Sequence, residues 1–183
     1  GGFKEAQFIL GVLLMKTDWA QSQKWLLRSD SKGCSGAAGL LGMKYLQKSS
    51  GVPESVAYSW IRRGAEGGDA ASQINIAGYL IHTNKKIEAY AWLKLIASEH
   101  KSDPMSTIMT AASIRKIESE LDVLSLQNAR KLSDIYTQKY SRSTYPFCSQ
   151  STPDIAKPLQ YEKSIYSIAK ELDKHSTEPY YVD

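Results

Sequence analysis

Cysteine and histidine are scarce in this chain of 183 residues. The two cysteines, Cys34 and Cys148, form no C-x-x-C pair, and the three isolated histidines have no metal-binding spacing. We therefore expect no metal site and no cofactor. The cysteines are either two unrelated thiols or one long-range disulfide, and the second interpretation implies an oxidising compartment.

Long apolar runs and catalytic motifs are also missing. No stretch approaches the roughly 20 consecutive apolar residues that a transmembrane helix needs, so we expect no transmembrane segment in this chain. The glycine-bearing stretch GAAGLLGMK has no Gly-Lys-Ser/Thr, and GAEGGDA follows a predicted helix rather than a strand, so neither fits a phosphate loop. The carboxylates are scattered along the chain. We assign no catalytic residue and predict that the protein is not an enzyme.

The charge is modestly positive, with 23 Lys and Arg against 19 Asp and Glu, which gives a net charge of +4. The basic residues form no stripe of the kind that nucleic-acid-binding proteins concentrate on one face. We therefore expect no nucleic-acid partner. An acidic protein surface and an anionic membrane interface would suit this charge equally well.

A repeat with a period in the mid-thirties is the main pattern in the sequence. Trp25, Trp60 and Trp92 are separated by 35 and 32 residues, and a helix rich in small residues precedes each of them. A small residue inside that helix, such as Gly42, would let the next helix approach closely, with the tryptophan as the bulky side chain opposite the gap. In the first such helix, Ala6, Leu10 and Leu14 are predicted to form the buried stripe. Such a pattern is typical of stacked helical hairpins.

The second unit, LLGMKYLQKSSGVPESVAYSWIRRGAEGGDAASQ, resembles a SEL-one-like repeat, a relative of the tetratricopeptide repeat. The matching positions are Leu41-Gly42, Tyr45, Gly51-Val52, Ala57, Trp60 and Gly68-Asp69-Ala70. The first and third units depart from the pattern, because both lack Gly-Val in the loop. The resemblance implies an all-α fold: an α/α superhelical solenoid of about three helix-turn-helix repeats, followed by C-terminal capping helices.

The predicted organisation has three parts. The repeats occupy residues 1–100, at about 4–34, 35–68 and 69–100, a capping helix pair follows at 101–140, and residues 141–183 form an irregular connector and an amphipathic helix. In the second capping helix, starting near Ser125, we predict a buried face. It comprises Leu126, Ala129, Leu132, Ile135 and Tyr136. We expect the last helix to dock on the solenoid, with partner binding as the alternative.

The concave face, lined by the first helix of each repeat, is the predicted binding surface, since solenoids bind partners there. Its candidate residues are Phe8, Met43, Lys44, Asn75, Tyr79 and His82. The mixture of aromatic, methionine and amide side chains suits protein recognition. Arg62 and Arg63 are predicted to form a solvated patch on the opposite face.

The resemblance implies a non-enzymatic adaptor, regulator or inhibitor that binds one protein partner, commonly in the bacterial cell envelope. The most concrete form of this hypothesis is an immunity protein that neutralises a lipase or phospholipase effector of a type VI secretion system. The alternatives are an envelope adaptor or regulator and, less favoured, a hydrolase. We expect a periplasmic or envelope location after removal of a leader, and a cytoplasmic location stays open.

Overall fold

The computed structural model describes residues 3–99 and 104–140. Within these ranges the chain forms eight α-helices and one 3-10 turn at Lys48–Ser50, with no strand. The α-helices are α1 (Phe3–Leu14), α2 (Trp19–Ser31), α3 (Ser35–Tyr45), α4 (Glu54–Glu66), α5 (Ala70–His82), α6 (Lys86–Glu99), α7 (Pro104–Glu120) and α8 (Val123–Tyr140). The predicted all-α class is confirmed. The predicted connector and amphipathic helix at 141–183 lie outside the described residues.

The first six helices form three successive hairpins. Helix α1 packs on α2, α3 on α4, and α5 on α6, while α2–α3 and α4–α5 contacts join one hairpin to the next. We call the first helix of each hairpin (α1, α3, α5) the A helix and the second (α2, α4, α6) the B helix. Helices α7 and α8 both pack on α6, α8 more extensively.

The two joints between hairpins have the same backbone geometry. Gly33 and Gly68 adopt positive φ angles of 83° and 87°. The next residues, Cys34 and Asp69, donate their N–H groups to the carbonyl oxygens five residues earlier, at 3.1 and 3.0 Å. This hydrogen-bonding pattern is the Schellman ending of a helix, which favours glycine in the left-handed position. The Gly-Asp pair of the repeat pattern is therefore a helix stop followed by a helix start.

Aspartate side chains begin three of the helices. Asp18 accepts a hydrogen bond from the backbone of Gln21, and Asp69 and Asp122 cap α5 and α8 in the same way. Ser125, near which the sequence predicts the start of this helix, is not its cap but the residue whose N–H is capped. At the start of α3 the corresponding position is Cys34, which makes no capping hydrogen bond.

Glycine lets the first two A helices touch their B helices, but the residue opposite the glycine is not tryptophan. A Cβ atom built on Gly11 would lie 2.7 Å from Cγ of Leu26, and one on Gly42 would lie 2.6 Å from Cγ1 of Ile61. Leu26 and Ile61 each follow a repeat tryptophan and are fully buried. The predicted small–large pairing exists, but it is shifted by one residue.

The buried face of α1 also differs from the prediction. Phe8 and Gly11 are buried, whereas Ala6 is exposed and Leu10 and Leu14 are only half-buried. Phe8 lies three residues before Gly11, so both face α2 through the glycine contact. The predicted stripe of Ala6, Leu10 and Leu14 is therefore not the side on which α1 packs.

Helix α8 covers the last B helix through an aromatic cluster. The ring of the fully buried Trp92 lies 4.9 Å from that of Tyr136 and 5.4 Å from that of Tyr140, centroid to centroid. Ser133 is buried on the same face, and Ile135, which was predicted to be buried there, is exposed. The face runs along positions 126, 129, 133, 136 and 140, a regular spacing of three or four residues.

Candidate protein-docking surface

Exposed apolar side chains lie mainly on the A-helix side of the array. Among the described residues, nine of the twelve exposed large hydrophobic side chains belong to A helices or to α7. They are Phe3, Ile9, Val12 and Leu13 in α1, Met43 in α3, Ile74 and Ile81 in α5, and Ile108 and Met109 in α7. The other three lie on α8, and the B helices α2, α4 and α6 carry none. Because the B helices bury their apolar residues, the uneven distribution makes the A-helix side the candidate docking surface.

The centre of this side is formed by α3 and α5, which touch directly. A Cβ atom on Gly39 would lie 2.1 Å from Oγ of Ser72 and 2.9 Å from Oδ2 of Asp69. Met43 lies one turn after Gly39 on α3, and Ile74, Gly78 and Ile81 share one face of α5. We define the A-helix patch by its members Met43, Ile74, Gly78 and Ile81.

The A-helix patch is open to solvent. Met43, Ile74 and Ile81 are 41%, 51% and 43% exposed, values that are high for large apolar side chains. Gly78 lies between the two isoleucines at a spacing of four and three residues, and a Cβ atom there would meet nothing within 4 Å. The missing side chain leaves open space between Ile74 and Ile81.

Three of the predicted site residues can be placed by their exposure. Met43 and His82 are exposed on α3 and α5. Phe8 is only 8% exposed, because it packs toward α2, so its assignment to an accessible face was wrong. Sequence reasoning did not select Ile74 and Ile81, since an apolar residue in a packed helix is most often buried. Their signal was the surplus of apolar residues in α5, more than a single buried stripe requires.

The other three predicted residues are half-buried and engaged with neighbours. Nζ of Lys44 lies 5.3 Å from the centre of the Trp19 ring. The Asn75 side chain donates a hydrogen bond of 2.8 Å to the Ala71 carbonyl oxygen. Tyr79 stacks on Tyr58 of α4 with ring centroids 3.5 Å apart. Lys44, Asn75 and Tyr79 border the A-helix patch and are held in place by the array itself.

Arg62 belongs to a polar network on the B-helix side rather than to a solvated patch. Its guanidinium donates to the Glu88 carboxylate, which also accepts a 3.0 Å hydrogen bond from the Tyr136 hydroxyl. Burial alone would raise the pKa of Glu88. The hydrogen bond and positive charge of Arg62, together with the hydrogen bond from Tyr136, have the larger combined effect, so the pKa of Glu88 lies below its ordinary value. For Glu66, burial raises the pKa despite the charges of Arg62 and Lys139. The network ties α4, α6 and α8 together.

Arg63 joins the first two hairpins. Its Nε donates to Oδ1 of Asp30 at 2.9 Å, and both side chains are largely buried. The predicted solvated patch of Arg62 and Arg63 was therefore wrong: each arginine bridges to a helix of another hairpin. The two ion pairs join residues that are 26 and 33 positions apart in the sequence. The sequence around each arginine therefore cannot predict them.

Cys34 is fully buried and disulfide-bonded. The only other cysteine of the chain, Cys148, lies outside the described residues, so the predicted pairing of the two stays a prediction. Within 3–99 and 104–140 no group of three or more His, Cys, Asp or Glu side chains is placed to hold a metal ion. None of the helices in those ranges has the length and apolar content of a membrane span.

One solved structure provides an informative comparison. It is a protective antigen present in uropathogenic Escherichia coli strains and displays an SLR (SEL-one-like repeat) fold. The match has a TM-score of 0.61 at 19% identity and covers all of this chain but only 35% of that longer chain. No protein-family model and no curated protein matches the sequence. The chain therefore has the SEL-one-like repeat fold, and the predicted α/α solenoid is confirmed.

Proposed function

We propose that this chain is a non-enzymatic module that binds a protein partner through the A-helix patch. The observation that carries the proposal is the distribution of exposed apolar residues, which favours the A helices and is absent from α2, α4 and α6 among the described residues. An amphipathic helix of the partner would lay its apolar side chains over Met43, Ile74 and Ile81 and insert one at Gly78. Stacked repeats offer such an extended surface.

The specific role that we propose is inhibition of a bacterial toxin: an immunity protein against a lipase or phospholipase effector of a type VI secretion system. The SEL-one-like fold supports this role by analogy, because it supplies a rigid surface that can cover an enzyme's active site. The proposed site of action is the periplasm or cell envelope. The disulfide bond of Cys34 supports that location, since disulfides persist in oxidising compartments.

The experiment combines the purified protein with a candidate type VI phospholipase effector and measures phospholipid hydrolysis. We expect inhibition with a dissociation constant below about 1 μM, and a loss of about tenfold or more for the double variant Ile74→Glu/Ile81→Glu. Ile135→Glu is the matched control, because Ile135 is a similarly exposed isoleucine on α8. The absence of a complex at micromolar concentration, or equal losses in both variants, would contradict the proposal.

A further inference from the structure

We infer that the segment bound by the A-helix patch is acidic as well as apolar: an amphipathic protein helix with carboxylates beside its apolar face. The inference rests on the proposed function and adds the chemistry of the partner. It comes from the way in which charge is divided between the two sides of the array.

The excess positive charge of the three hairpins lies mainly in the A helices and the turns that follow them. In residues 3–99 these segments, taken up to the residue before each B helix, contain five lysines and two acids, Glu5 and Asp18. The lysines are Lys4, Lys16, Lys44, Lys48 and Lys85. The B helices with the turns that follow them contain seven basic and six acidic residues and are nearly balanced. The side that exposes apolar residues is thus also the side that carries most of the excess positive charge.

Four of the five lysines lie at the C-terminal ends of the A helices. Lys44 is in the last turn of α3, Lys48 is in the 3-10 turn that follows, and Lys16 and Lys85 lie in the turns after α1 and α5. Because A helices of stacked hairpins run in the same direction, these ends follow one edge of the array. We call this row of four lysines the basic edge.

Acidic residues near the basic edge are partly occupied by other groups. Asp18 caps α2, and Glu88, whose charge also acts on Lys85, is bound by Arg62 and Tyr136. Glu54 lies exposed in the first turn of α4 and offsets one lysine. The net charge along this edge remains positive, because the four lysines outnumber these three carboxylates.

The basic edge adjoins the A-helix patch. Met43 immediately precedes Lys44, and Ile81 lies four residues before Lys85. A helix seated on Met43, Ile74 and Ile81 would therefore bring its flanking side chains to Lys44, Lys48 and Lys85. Carboxylates at those positions would be attracted, whereas lysine or arginine would be repelled. The exposed pairs would contribute chiefly to association rate and selectivity, and salt would weaken them.

The test uses two labelled helical peptides with the same leucine and phenylalanine face, one with glutamate and the other with lysine on its flanks. Fluorescence anisotropy should show the glutamate peptide binding about tenfold or more tightly at low salt, with the difference shrinking as salt increases. The variant Lys48→Glu/Lys85→Glu should lose this preference. The matched control Lys94→Glu/Lys131→Glu, at exposed positions of α6 and α8, should keep it.

Equal binding of the two peptides, or preference for the lysine peptide, would overturn the inference. Phosphatidylglycerol vesicles serve as a third probe: binding to vesicles without discrimination between the peptides would identify an anionic membrane as the target and would also overturn it. The two proposals fail separately. Inhibition of the phospholipase that is unaffected by Lys48→Glu/Lys85→Glu would refute the acidic partner alone, and peptide discrimination without inhibition would refute the immunity role alone.

Discussion

The backbone of Gly42 lies directly against that of Ile61. A Cβ atom at position 42 would lie 2.7 Å from the Ile61 amide nitrogen and 2.8 Å from the Ala57 carbonyl oxygen. Because both are backbone atoms of a packed helix, neither can move aside as a flexible side chain would. The glycine therefore sets the distance between α3 and α4.

Replacing Gly42 with alanine should lower the free energy of unfolding. We expect a loss of about 2 kcal/mol, because the cost of overpacking exceeds the gain of up to about 1 kcal/mol in helix propensity. Gly78→Ala is the matched control: its Cβ atom meets nothing within 4 Å, so the propensity gain should stabilise the protein by about 0.5–1 kcal/mol. Urea denaturation measures both, and a neutral Gly42→Ala would refute the proposed packing constraint.

Glu88→Gln should destabilise the protein at neutral pH. The carboxylate loses charge-assisted hydrogen bonds from Arg62 and Tyr136, for which we expect about 2 kcal/mol. Since the pKa of Glu88 is lowered in the folded protein, its stabilisation is present above its unfolded pKa and is lost as the pH falls through the folded value. The difference between wild type and variant should therefore shrink below about pH 4. A difference that is the same at pH 7 and in acid would contradict this account.

Glu66→Gln should have the opposite effect. The pKa of Glu66 is raised by burial, so the folded protein binds its proton more tightly, and stability falls as the pH rises from the unfolded to the folded pKa. The glutamine side chain is uncharged, so burial does not cost it the free energy that it costs the Glu66 carboxylate. We expect the variant to be more stable than wild type at pH 7 and equal to it below the unfolded pKa, as measured by thermal unfolding across pH. Destabilisation at pH 7 would show that the Arg62 and Lys139 contacts outweigh burial.

Reduction of the disulfide should destabilise the protein. Peptide mapping under non-reducing conditions should recover Cys34 joined to Cys148, and a closed loop of about a hundred residues corresponds to roughly 4–5 kcal/mol in the chain-entropy model. Cys34→Ala and Cys148→Ala should each reproduce the loss and become insensitive to reductant. Recovery of two separate thiols, or a stability unaffected by reductant in wild type, would contradict the pairing.

Much of the fold was predictable because its determinants are local. The mid-thirties period, the small residue in each A helix and the Gly-Asp joint at Gly68 appear directly in the sequence. The orientation of α1 was not predictable: Phe8 and Gly11 compete with Leu10 and Leu14 for the buried side, and both sets are apolar. Only the position of Leu26 on the neighbouring helix decides between them.

The candidate site was less accessible to sequence reasoning. Met43 and His82 were predicted on the exposed side of A helices, where they lie, but Ile74 and Ile81 resemble core residues until the packing of α5 is known. Arg62 could not be distinguished from a surface arginine, because its partner Glu88 belongs to a helix of the next hairpin. Exposure and long-range ion pairing depend on the assembled array.

Hydrogen–deuterium exchange with and without the phospholipase effector tests the central claim, binding through the A-helix side, most directly. The account predicts slower exchange on complex formation in peptides from α3 (Ser35–Tyr45) and α5 (Ala70–His82). Peptides from α4 (Glu54–Glu66) and α6 (Lys86–Glu99) should change little. Protection concentrated in α4 and α6, with α3 and α5 unchanged in a complex proven to form, would place the binding surface on the opposite side and contradict the account.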